Sequence, residues 1–231
     1  MSISVVIPAW NAASTVGEAL ASVAEQRPCP DEIIVVDDGS TDGTPEVCRR
    51  AHAGVRVLSQ ARSGAAAALN RGIEAGRSSL LAFLDADDRW SAGKLALQLG
   101  WLERRPGVDG ILGRMETYLC PSLGAEDAAR YRLPDAPQTA WSTGALLVRR
   151  DAFERVGPFA EELVVGFAID WFDRARAAGL RLAIPEETVL YRRIRPGSLS
   201  HRSPPKNRAY LEVARRALLR RRVSSHDTPG G

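Results

Sequence analysis

Residues 80–88, LLAFLDADD, join a short aliphatic run directly to a cluster of carboxylates. Such a run, bounded by polar residues, is typical of a strand that is buried inside a parallel sheet. Residues 32–40 repeat the arrangement, because IIVV precedes Asp37 and Asp38. Ligands of open parallel sheets bind outside the carboxyl ends of the strands. Both acidic clusters are therefore predicted to project into one cleft.

Strand-like and helix-like segments alternate through the first hundred residues. The strand candidates are the β-branched or aliphatic runs at residues 3–7, 32–37, 55–59 and 80–84. Helix-start signals stand between them, namely a Thr15-x-x-Glu18 capping box, Thr44 before a proline, and Ser91 ahead of a leucine stripe. This alternation predicts an α/β fold with a Rossmann-like, mostly parallel central sheet that is flanked by helices.

The pattern becomes less regular after residue 105. Residues 115–141 are rich in proline and predict a long loop. An Asp151-x-x-Glu154 capping box predicts a short helix that ends at Gly157, and a longer helix is expected over 163–178. Further strands are expected at 144–148, 181–184 and 188–194.

Basic residues are concentrated near the C-terminal end of the chain. Residues 192–231 hold ten Arg and one Lys against two acidic residues, a net charge of +9, whereas the other residues carry −6. A basic amphipathic helix is expected over 204–222, followed by a disordered tail over 223–231. Its apolar stripe is formed by Leu211, Ala214 and Leu218.

That stripe has two natural partners. Most such helices pack the apolar stripe on the body of the protein and leave their arginines in solvent. The alternative is peripheral contact with an anionic membrane. No nucleic-acid partner is expected, because the chain has no recognised binding motif and few aromatic residues between the basic ones.

The composition is that of a globular protein. Of 231 residues, 45% are hydrophobic and 26% are charged, which excludes wholesale disorder and suffices for one large domain. The apolar runs are far shorter than the roughly 20 residues of a membrane-spanning helix. Cys29, Cys48 and Cys120 are too scattered for a disulfide frame or a zinc site. Since no secretory signal is recognisable either, a cytoplasmic protein is predicted.

The acidic clusters also suggest a cation. Carboxylates that are crowded at one sheet edge repel each other unless a positive charge neutralises them. An oxygen-only ligand set suits Mg²⁺ or Mn²⁺, which usually completes its shell with substrate phosphates. Either cluster alone is more commonly a turn than a site, because Asp-Gly and Asp-Asp are common turn residues. Their shared position at strand ends favours a site.

Several motifs, taken in order, resemble glycosyltransferase family 2. Residues 5–11 (VVIPAWN), 35–44 (VVDDGSTDGT) and 83–88 (FLDADD) carry the first part of the likeness. It continues at 144–153 (GALLVRRDAF), 156–159 (VGPF) and 191–198 (YRRIRPGS). Each piece alone is weak, but the ordered combination is specific.

The resemblance implies an inverting glycosyltransferase of the GT-A fold. Residues 1–203 would form this domain, with a nucleotide-sugar half over about 1–105 and an acceptor half over about 106–203. Such an enzyme moves a sugar from a nucleoside-diphosphate sugar, with UDP favoured, to an acceptor hydroxyl. The acceptor is left open between a saccharide, a lipid-linked compound and a small molecule.

The resemblance also implies roles for particular residues. Asp87, in the family's D-x-D motif, would hold Mn²⁺ or Mg²⁺ on the diphosphate, and Asp170 would be the general base. Asp173 is the fallback base because it lies three residues further along the same helix face. The nucleotide and the donor sugar would be bound by Pro8, Ala9, Asn11, Asp37, Asp38, Arg62, Asn70, Asp85, Ala86 and Arg195.

Three departures from the family pattern stand in the sequence. Ile169 replaces the Glu that usually precedes the base. Leu69 replaces an Arg that commonly precedes Asn70, and Arg62 would supply the positive charge of that missing arginine. Arg195 stands where a His is often found; it cannot ligate a metal, but it can hydrogen-bond a diphosphate. A non-catalytic or degenerate nucleotide-sugar-binding protein is therefore the alternative function.

Several of these residues also have an ordinary structural explanation. Asp170 lies four residues before Arg174, so a surface ion pair is its ordinary structural explanation. Trp141, Trp171 and Tyr118 are candidates for stacking on a sugar face, although each would more commonly pack in a core.

The sequence disfavours two other protein classes. A phosphoreceiver domain is disfavoured because a whole β-α unit precedes Asp37 and the only lysines are Lys94 and Lys206. The Gly-rich basic N-terminal loop of a sugar nucleotidyltransferase is absent, as is a P-loop.

Overall fold

A seven-stranded sheet forms the centre of the computed structural model, which describes residues 1–195, 211–218 and 220. The strands of the chain are β1 (Ile3–Ala9), β2 (Glu32–Asp38), β3 (Val55–Gln60), β4 (Leu80–Phe83), β5 (Arg89–Trp90), β6 (Gly110–Ile111), β7 (Arg114–Leu119), β8 (Gln138–Thr139), β9 (Leu147–Arg149), β10 (Leu182–Ala183) and β11 (Thr188–Ile194). The helices are α1 (Val16–Ala24), α2 (Thr44–Ala51), α3 (Ala65–Ala75), α4 (Lys94–Arg104), α5 (Ala125–Ala128), α6 (Arg150–Val156) and α7 (Phe167–Ala177). Residues 211–218 and 220 are also helical and are called the C-terminal helix.

The central sheet is mostly parallel, as the sequence predicts. Its strand order is β10-β6-β9-β4-β1-β2-β3, and β9 alone among these strands runs antiparallel to its neighbours. All seven residues of β1 are buried, since the strand lies between β2 and β4 and is covered on its faces. A smaller sheet with the order β5-β11-β7-β8 stands beside the first.

The expected loop over 115–141 is partly wrong. Its first residues belong to β7, which pairs in parallel with β11, and two short elements, α5 and β8, follow. The side chains of β7 are half-buried rather than alternating between core and solvent, so the strand has no clear period in sequence. The strand expected at 144–148 is instead a 3-10 turn at residues 143–145 followed by β9.

The helix-start signals give the right helices but the wrong caps. Thr15 is the N-cap of α1, yet its hydroxyl donates to the Ala12 carbonyl and Glu18 pairs with Arg193, so the capping box does not form. Helix α7 begins at Phe167, later than expected, because Gly166 in the left-handed region starts it.

The C-terminal helix reverses the expected orientation. Leu211 and Leu218 are 66% and 58% exposed, whereas Val213 is buried and Arg216 and Arg220 reach acidic side chains of the body. The apolar stripe therefore faces outward, and these two arginines face inward. Residues 204–210, 219 and 221–222 of the predicted helix and the predicted tail at 223–231 lie outside the described residues.

No helix among residues 1–195, 211–218 and 220 is long and apolar enough to cross a membrane.

Two glycines in helices give opposite expectations for the same substitution. A Cβ on Gly72 of α3 would overlap the Val6 side chain of β1, so Gly72→Ala should destabilise the fold by about 1–3 kcal/mol. A Cβ on Gly17 of α1 would meet Val47 Cγ1 at 4.0 Å, an ordinary contact, so Gly17→Ala should stabilise by up to about 1 kcal/mol. Urea denaturation of both variants measures the difference, and equal effects would contradict the close packing of α3 on β1.

Candidate functional site

The two acidic clusters lie at the same edge of the central sheet. Ala9 at the end of β1 is in register with Asp37, and the Leu84 N–H donates to the Val6 carbonyl at 3.2 Å. Strands β2 and β4 flank β1, so the clusters stand two strand spacings apart, about 10 Å. The predicted placement at one edge is confirmed.

The loops after β1 and β2 are joined through Asn11. This residue has a positive φ of 45°, its N–H donates to Ser40 Oγ at 2.9 Å, and its side-chain oxygen accepts from the Thr41 N–H at 2.9 Å. Asp37 is buried and accepts one long hydrogen bond, 3.4 Å from the Ser40 N–H. The Asp37 carboxylate therefore keeps hydrogen-bonding capacity for a ligand.

Asp38 has a structural task. Its carboxylate accepts from Gln60 Nε2 at 2.9 Å and from the N–H groups of Ser63 and Gly64 at 2.7 and 2.8 Å. These bonds fix the loop that leads into α3. Although the sequence gives both aspartates the same role, the structure leaves Asp37 the better placed for a ligand.

Arg62 brings a positive charge to this end of the sheet. Its guanidinium carbon lies 3.2 Å from the centre of the Trp10 ring, which follows the β1 residues Pro8 and Ala9. The Arg62 N–H nitrogen would be 3.1 Å from a Cβ on Gly39, so only glycine fits there. The arginine is thus held beside the Asp37 loop, as the sequence interpretation requires.

The Asn70 side chain is hydrogen-bonded to residues between α6 and α7. Its amide nitrogen donates to the Phe159 carbonyl and to Glu161 Oε1, both at 2.9 Å, and its oxygen accepts from the Phe159 N–H at 2.9 Å. The side chain therefore clamps the segment between α6 and α7. It lines the same cavity as Asp170.

The residues after β4 form a crowded acidic loop. Burial and the Asp87 charge raise the pKa of Asp85 to about 6, and the same causes raise the pKa of Asp88 well above its usual range. Ala86 is buried between them. Asp87 Oδ2 accepts from Arg195 Nε at 2.9 Å, so Arg195 lies against the acidic loop.

These residues fit a divalent cation that arrives with a diphosphate. Within the described ranges no three Asp, Glu, His or Cys groups converge on a common metal position. Mg²⁺ and Mn²⁺ sites often use only one or two carboxylates and take their other oxygens from water and phosphate. Asp85 and Asp87 supply such a pair. Burial first, and the Asp87 charge second, raise the pKa of Asp85, and a cation would relieve the repulsion between the two carboxylates.

Asp170 lines a cavity of about 560 Å³, here called the Asp170 cavity, and is 1% exposed. Its Oδ2 accepts from Arg174 Nε at 2.8 Å, the ion pair that sequence spacing offers as its structural explanation. Its Oδ1 accepts from Arg220 of the C-terminal helix at 3.0 Å, a contact that no sequence signal indicated. Arg220 also pairs with Asp173, the fallback base, at 2.9 Å.

A second cavity, of about 570 Å³, is here called the arginine cavity. Its walls include Thr15, Glu18, Arg89, Tyr118, Arg193 and Arg195. It shares no lining residue with the Asp170 cavity, so Arg195 and Asp170 face different spaces. Sequence reasoning missed this cluster: it interpreted Glu18 as part of a capping box, quoted Arg193 only within the 191–198 motif, and had no signal for Arg89.

The other aromatic candidates differ in burial. Trp171 is fully buried and stacks on Phe153 with a centroid distance of 5.3 Å, so it is a core residue. Trp141 is exposed and meets Phe172 edge-on at 5.3 Å. Only Trp141 and Tyr118 of the three remain available to a ligand.

Comparison with known proteins gives consistent relatives. Residues 4–135 match the family model described as Glycosyl transferase family 2. The chain is similar to glycosyltransferase AglE of Haloferax volcanii, with 32% identity over 207 residues that cover 81% of this chain and 65% of AglE. It is also similar to succinoglycan biosynthesis protein ExoU of Rhizobium meliloti, with 31% identity over 246 residues that cover 96% of this chain and 71% of ExoU.

Among solved structures, the chain is similar to S. aureus TarS 1–349 in complex with UDP-GlcNAc. The TM-score is 0.75 at 19% identity, and the likeness covers 95% of this chain and 66% of that one. It confirms the predicted fold class, an α/β fold of the GT-A type. The chain spans somewhat less than two thirds of the length of AglE.

The different roles of Asp37 and Asp38 can be tested through the free energy of unfolding of two variants. Asp38→Ala would leave three donors around the loop unpaired and should destabilise the protein by on the order of 3 kcal/mol. Asp37→Ala removes one long hydrogen bond and should cost less than about 1 kcal/mol. Urea denaturation compares the two variants, and a larger loss for Asp37→Ala would overturn the assignment.

Proposed function

Because the chain belongs to glycosyltransferase family 2, we propose that it is an inverting transferase that moves a sugar from a nucleoside-diphosphate sugar to an acceptor hydroxyl. The observation that carries the proposal is the pair of acidic clusters at one sheet edge, with Asp37 on one side of β1 and the Asp85–Asp87 loop on the other. UDP is the favoured nucleotide, since the TarS structure similar to this chain contains UDP-GlcNAc.

The donor would lie across the end of β1. Pro8, Ala9, Asn11 and Asp37 would contact the base and ribose, and Arg62 would add a positive charge on that side. Asp85 and the buried Ala86 would face the ribose or the donor sugar. Asp38 and Asn70 would support this pocket through the loops that they fix, rather than touch the nucleotide.

Mn²⁺ or Mg²⁺ would be held by Asp87, with Asp85 beside it. When bound, such an ion stabilises the negative charge that develops on the leaving nucleoside diphosphate. Arg195, whose Nε lies 2.9 Å from Asp87 Oδ2, would hydrogen-bond the same diphosphate.

Asp170 would be the general base. Its carboxylate would take the proton of the acceptor hydroxyl while the acceptor oxygen forms a bond to the anomeric carbon. The bond to the nucleoside diphosphate would break on the opposite face, so the configuration inverts. Arg174 and Arg220 each donate a hydrogen bond to one carboxylate oxygen of Asp170, so one oxygen must exchange its arginine for the acceptor.

The acceptor would be a saccharide, a lipid-linked compound or a small molecule of cell-envelope or polysaccharide synthesis. The relative ExoU is named for succinoglycan biosynthesis, which supports a polysaccharide pathway. The enzyme would act in the cytoplasm, with peripheral contact at the inner face of the membrane. The outward-facing Leu211 and Leu218 support that contact, because they offer an apolar stripe on a basic helix.

A second candidate function is nucleotide-sugar binding without transfer. Ile169 stands where the family has an acidic residue next to the base. Each carboxylate oxygen of Asp170 already accepts a hydrogen bond from an arginine. A protein of this kind would bind the donor normally but would show no donor hydrolysis or sugar transfer that depends on Asp170.

Donor binding is tested by calorimetry with UDP, GDP and dTDP, with and without Mn²⁺. We expect one nucleotide to bind in a metal-dependent manner, and Asp87→Ala to weaken that binding at least about tenfold. Asp151→Ala, an exposed aspartate on α6, is the matched control and should bind as the parent does. If no nucleotide binds to the folded protein, the donor site is refuted.

The base is tested by comparing Asp170→Asn with Asp173→Asn. Asp170→Asn should lower the rate of sugar transfer by roughly 10²–10⁴-fold while nucleotide affinity stays within twofold, because only proton transfer is lost. Asp173→Asn should retain most of the activity. The reverse ranking would make Asp173 the base, and full activity of both variants would exclude either as the base.

A further inference from the structure

Two arginines hold Asp170 in different ways, although each donates one hydrogen bond to it. Arg174 Nε donates to Asp170 Oδ2 at 2.8 Å, and Arg220 Nη1 donates to Asp170 Oδ1 at 3.0 Å. Arg174 stands one turn further along the same helix, α7, whereas Arg220 belongs to the C-terminal helix, fifty residues away in sequence. One arginine is therefore part of the element that carries Asp170, and the other comes from a separate element.

The Arg174 guanidinium is fixed by the backbone of the body. Its Nη1 donates to the Val156 carbonyl at 2.8 Å, and its Nη2 donates to the Pro158 carbonyl at 2.7 Å. A planar guanidinium whose donors are engaged on several sides has little freedom to rotate. The Asp170 oxygen that accepts from it is therefore held in one orientation, which is the geometry of a positioning residue.

Arg220 covers the other oxygen of Asp170. Its Nη2 and Nε also donate to Asp173 Oδ2, at 2.9 and 3.2 Å, so one guanidinium bridges two carboxylates of α7. Asp170 is almost completely buried in this arrangement. Because a hydroxyl must come within about 2.6–3.2 Å of the base that takes its proton, Arg220 stands where an acceptor would approach Asp170 Oδ1.

The C-terminal helix is attached mainly through its arginines. Arg216 Nη1 donates to Glu162 Oε1 at 2.7 Å, and both Arg216 and Arg220 line the Asp170 cavity. Val213 is the only described residue of this helix that is buried. Since the helix contributes so little to the core, it can leave the body while the rest of the fold stays intact.

The body side of the Asp170 cavity explains why a basic helix binds there. Its charged lining consists of four acids and one arginine, namely Glu74, Glu161, Glu162, Asp170 and Arg174. Charge complementarity of this kind favours one orientation of a docked element. The helix therefore turns its two inward arginines toward the acids and not toward solvent.

We propose that the C-terminal helix is an autoinhibitory element in which Arg220 blocks the base Asp170, and that Arg174 is the positioning residue of that base. The inference rests on the proposed function, because it takes Asp170 as the base. Sugar transfer then requires the release of Arg220. The freed oxygen of Asp170 takes the proton of the acceptor while Arg174 keeps the carboxylate oriented, so the two arginines should have opposite effects on the rate.

The experiment follows hydrolysis of UDP-GlcNAc by the full chain with Mn²⁺, with water in place of the acceptor. The water oxygen bonds to the anomeric carbon, the bond to UDP breaks, and Asp170 takes the proton. Arg220→Met should raise kcat by at least about tenfold, since a minor open state is typically populated to about 10% or less. Arg174→Met should lower kcat by roughly 10–100-fold, because the base loses its orientation. The KM for UDP-GlcNAc should stay within about twofold of the parent value in both variants, since neither side chain belongs to the proposed donor site.

The matched control is Arg215→Met, which removes an exposed arginine of the same helix and should leave kcat and KM unchanged. Hydrogen exchange of the amides of residues 211–218 measures attachment of the helix without turnover. Exchange should be about tenfold faster in Arg220→Met than in the parent, and unchanged in Arg215→Met. Thermal melting shows whether each variant is folded, and Arg220→Met, which lies outside the core, keeps the test valid if Arg174→Met unfolds.

The outcomes separate the possibilities. An unchanged or lower kcat in Arg220→Met, with UDP-GlcNAc bound, overturns the autoinhibition, and so does exchange of the parent's helix amides at the rate of an unfolded peptide. An equal rise of kcat in Arg215→Met would assign the effect to loss of any positive charge and also overturn it. An unchanged kcat in folded Arg174→Met overturns the positioning role. If UDP-GlcNAc does not bind to the folded parent, the proposed function itself fails, and the inference fails with it.

Discussion

The buried guanidinium of Arg193 holds the acidic loop in place. Arg193 lies in β11 of the smaller sheet and is 7% exposed. Its N–H donates to Asp88 at 2.8 Å, its Nε donates to the Asp87 carbonyl at 3.0 Å, and a terminal nitrogen reaches Glu18 of α1 at 2.6 Å. Because a buried charge without partners is costly, the loop, the helix and the second sheet must keep these positions together. The backbone position of the loop is thus fixed by Arg193, and the Asp87 carboxylate itself is held by Arg195.

Part of the charge segregation along the sequence is neutralised by ion pairs among the described residues. The C-terminal forty residues are strongly basic and the rest of the chain is acidic, which suggests an exposed basic surface. Four of the six arginines of that segment that the structure describes reach acids of the body, and the pairs are Arg193–Glu18, Arg195–Asp87, Arg216–Glu162, Arg220–Asp170 and Arg220–Asp173. Two of these acids are the proposed metal ligand and the proposed base. The basic segment is therefore part of the site, and its residual capacity for an outside anion is smaller than its sequence charge indicates.

The sequence predicts what depends on local pattern and misses what depends on distant partners. The strands β1, β2 and β4 are readable because burial on both faces demands continuous aliphatic runs. Asp37 and Asp38 carry the same local signal, yet their tasks differ because Gln60 and the N–H groups before α3 happen to meet Asp38. The contact between Asp170 and Arg220 spans fifty residues and has no motif at either end.

The surroundings of Asp170 decide which of its two arginines can give way to an acceptor. Arg174 lies on the same helix and also donates to the carbonyls of Val156 and Pro158 at 2.8 and 2.7 Å, so its guanidinium is fixed by backbone. Arg220 belongs to the C-terminal helix, which is attached on this side by the ion pair between Arg216 and the exposed Glu162. An exposed ion pair contributes only about 0–1 kcal/mol. Arg220 pairs with the side chains of Asp170 and Asp173, whereas Arg174 is also held by backbone carbonyls, so in the proposed mechanism Arg220 is the arginine that would move while Arg174 continues to orient the other oxygen. If Asp170 is the base, as proposed, the C-terminal helix carries the arginine that must leave before an acceptor can bind.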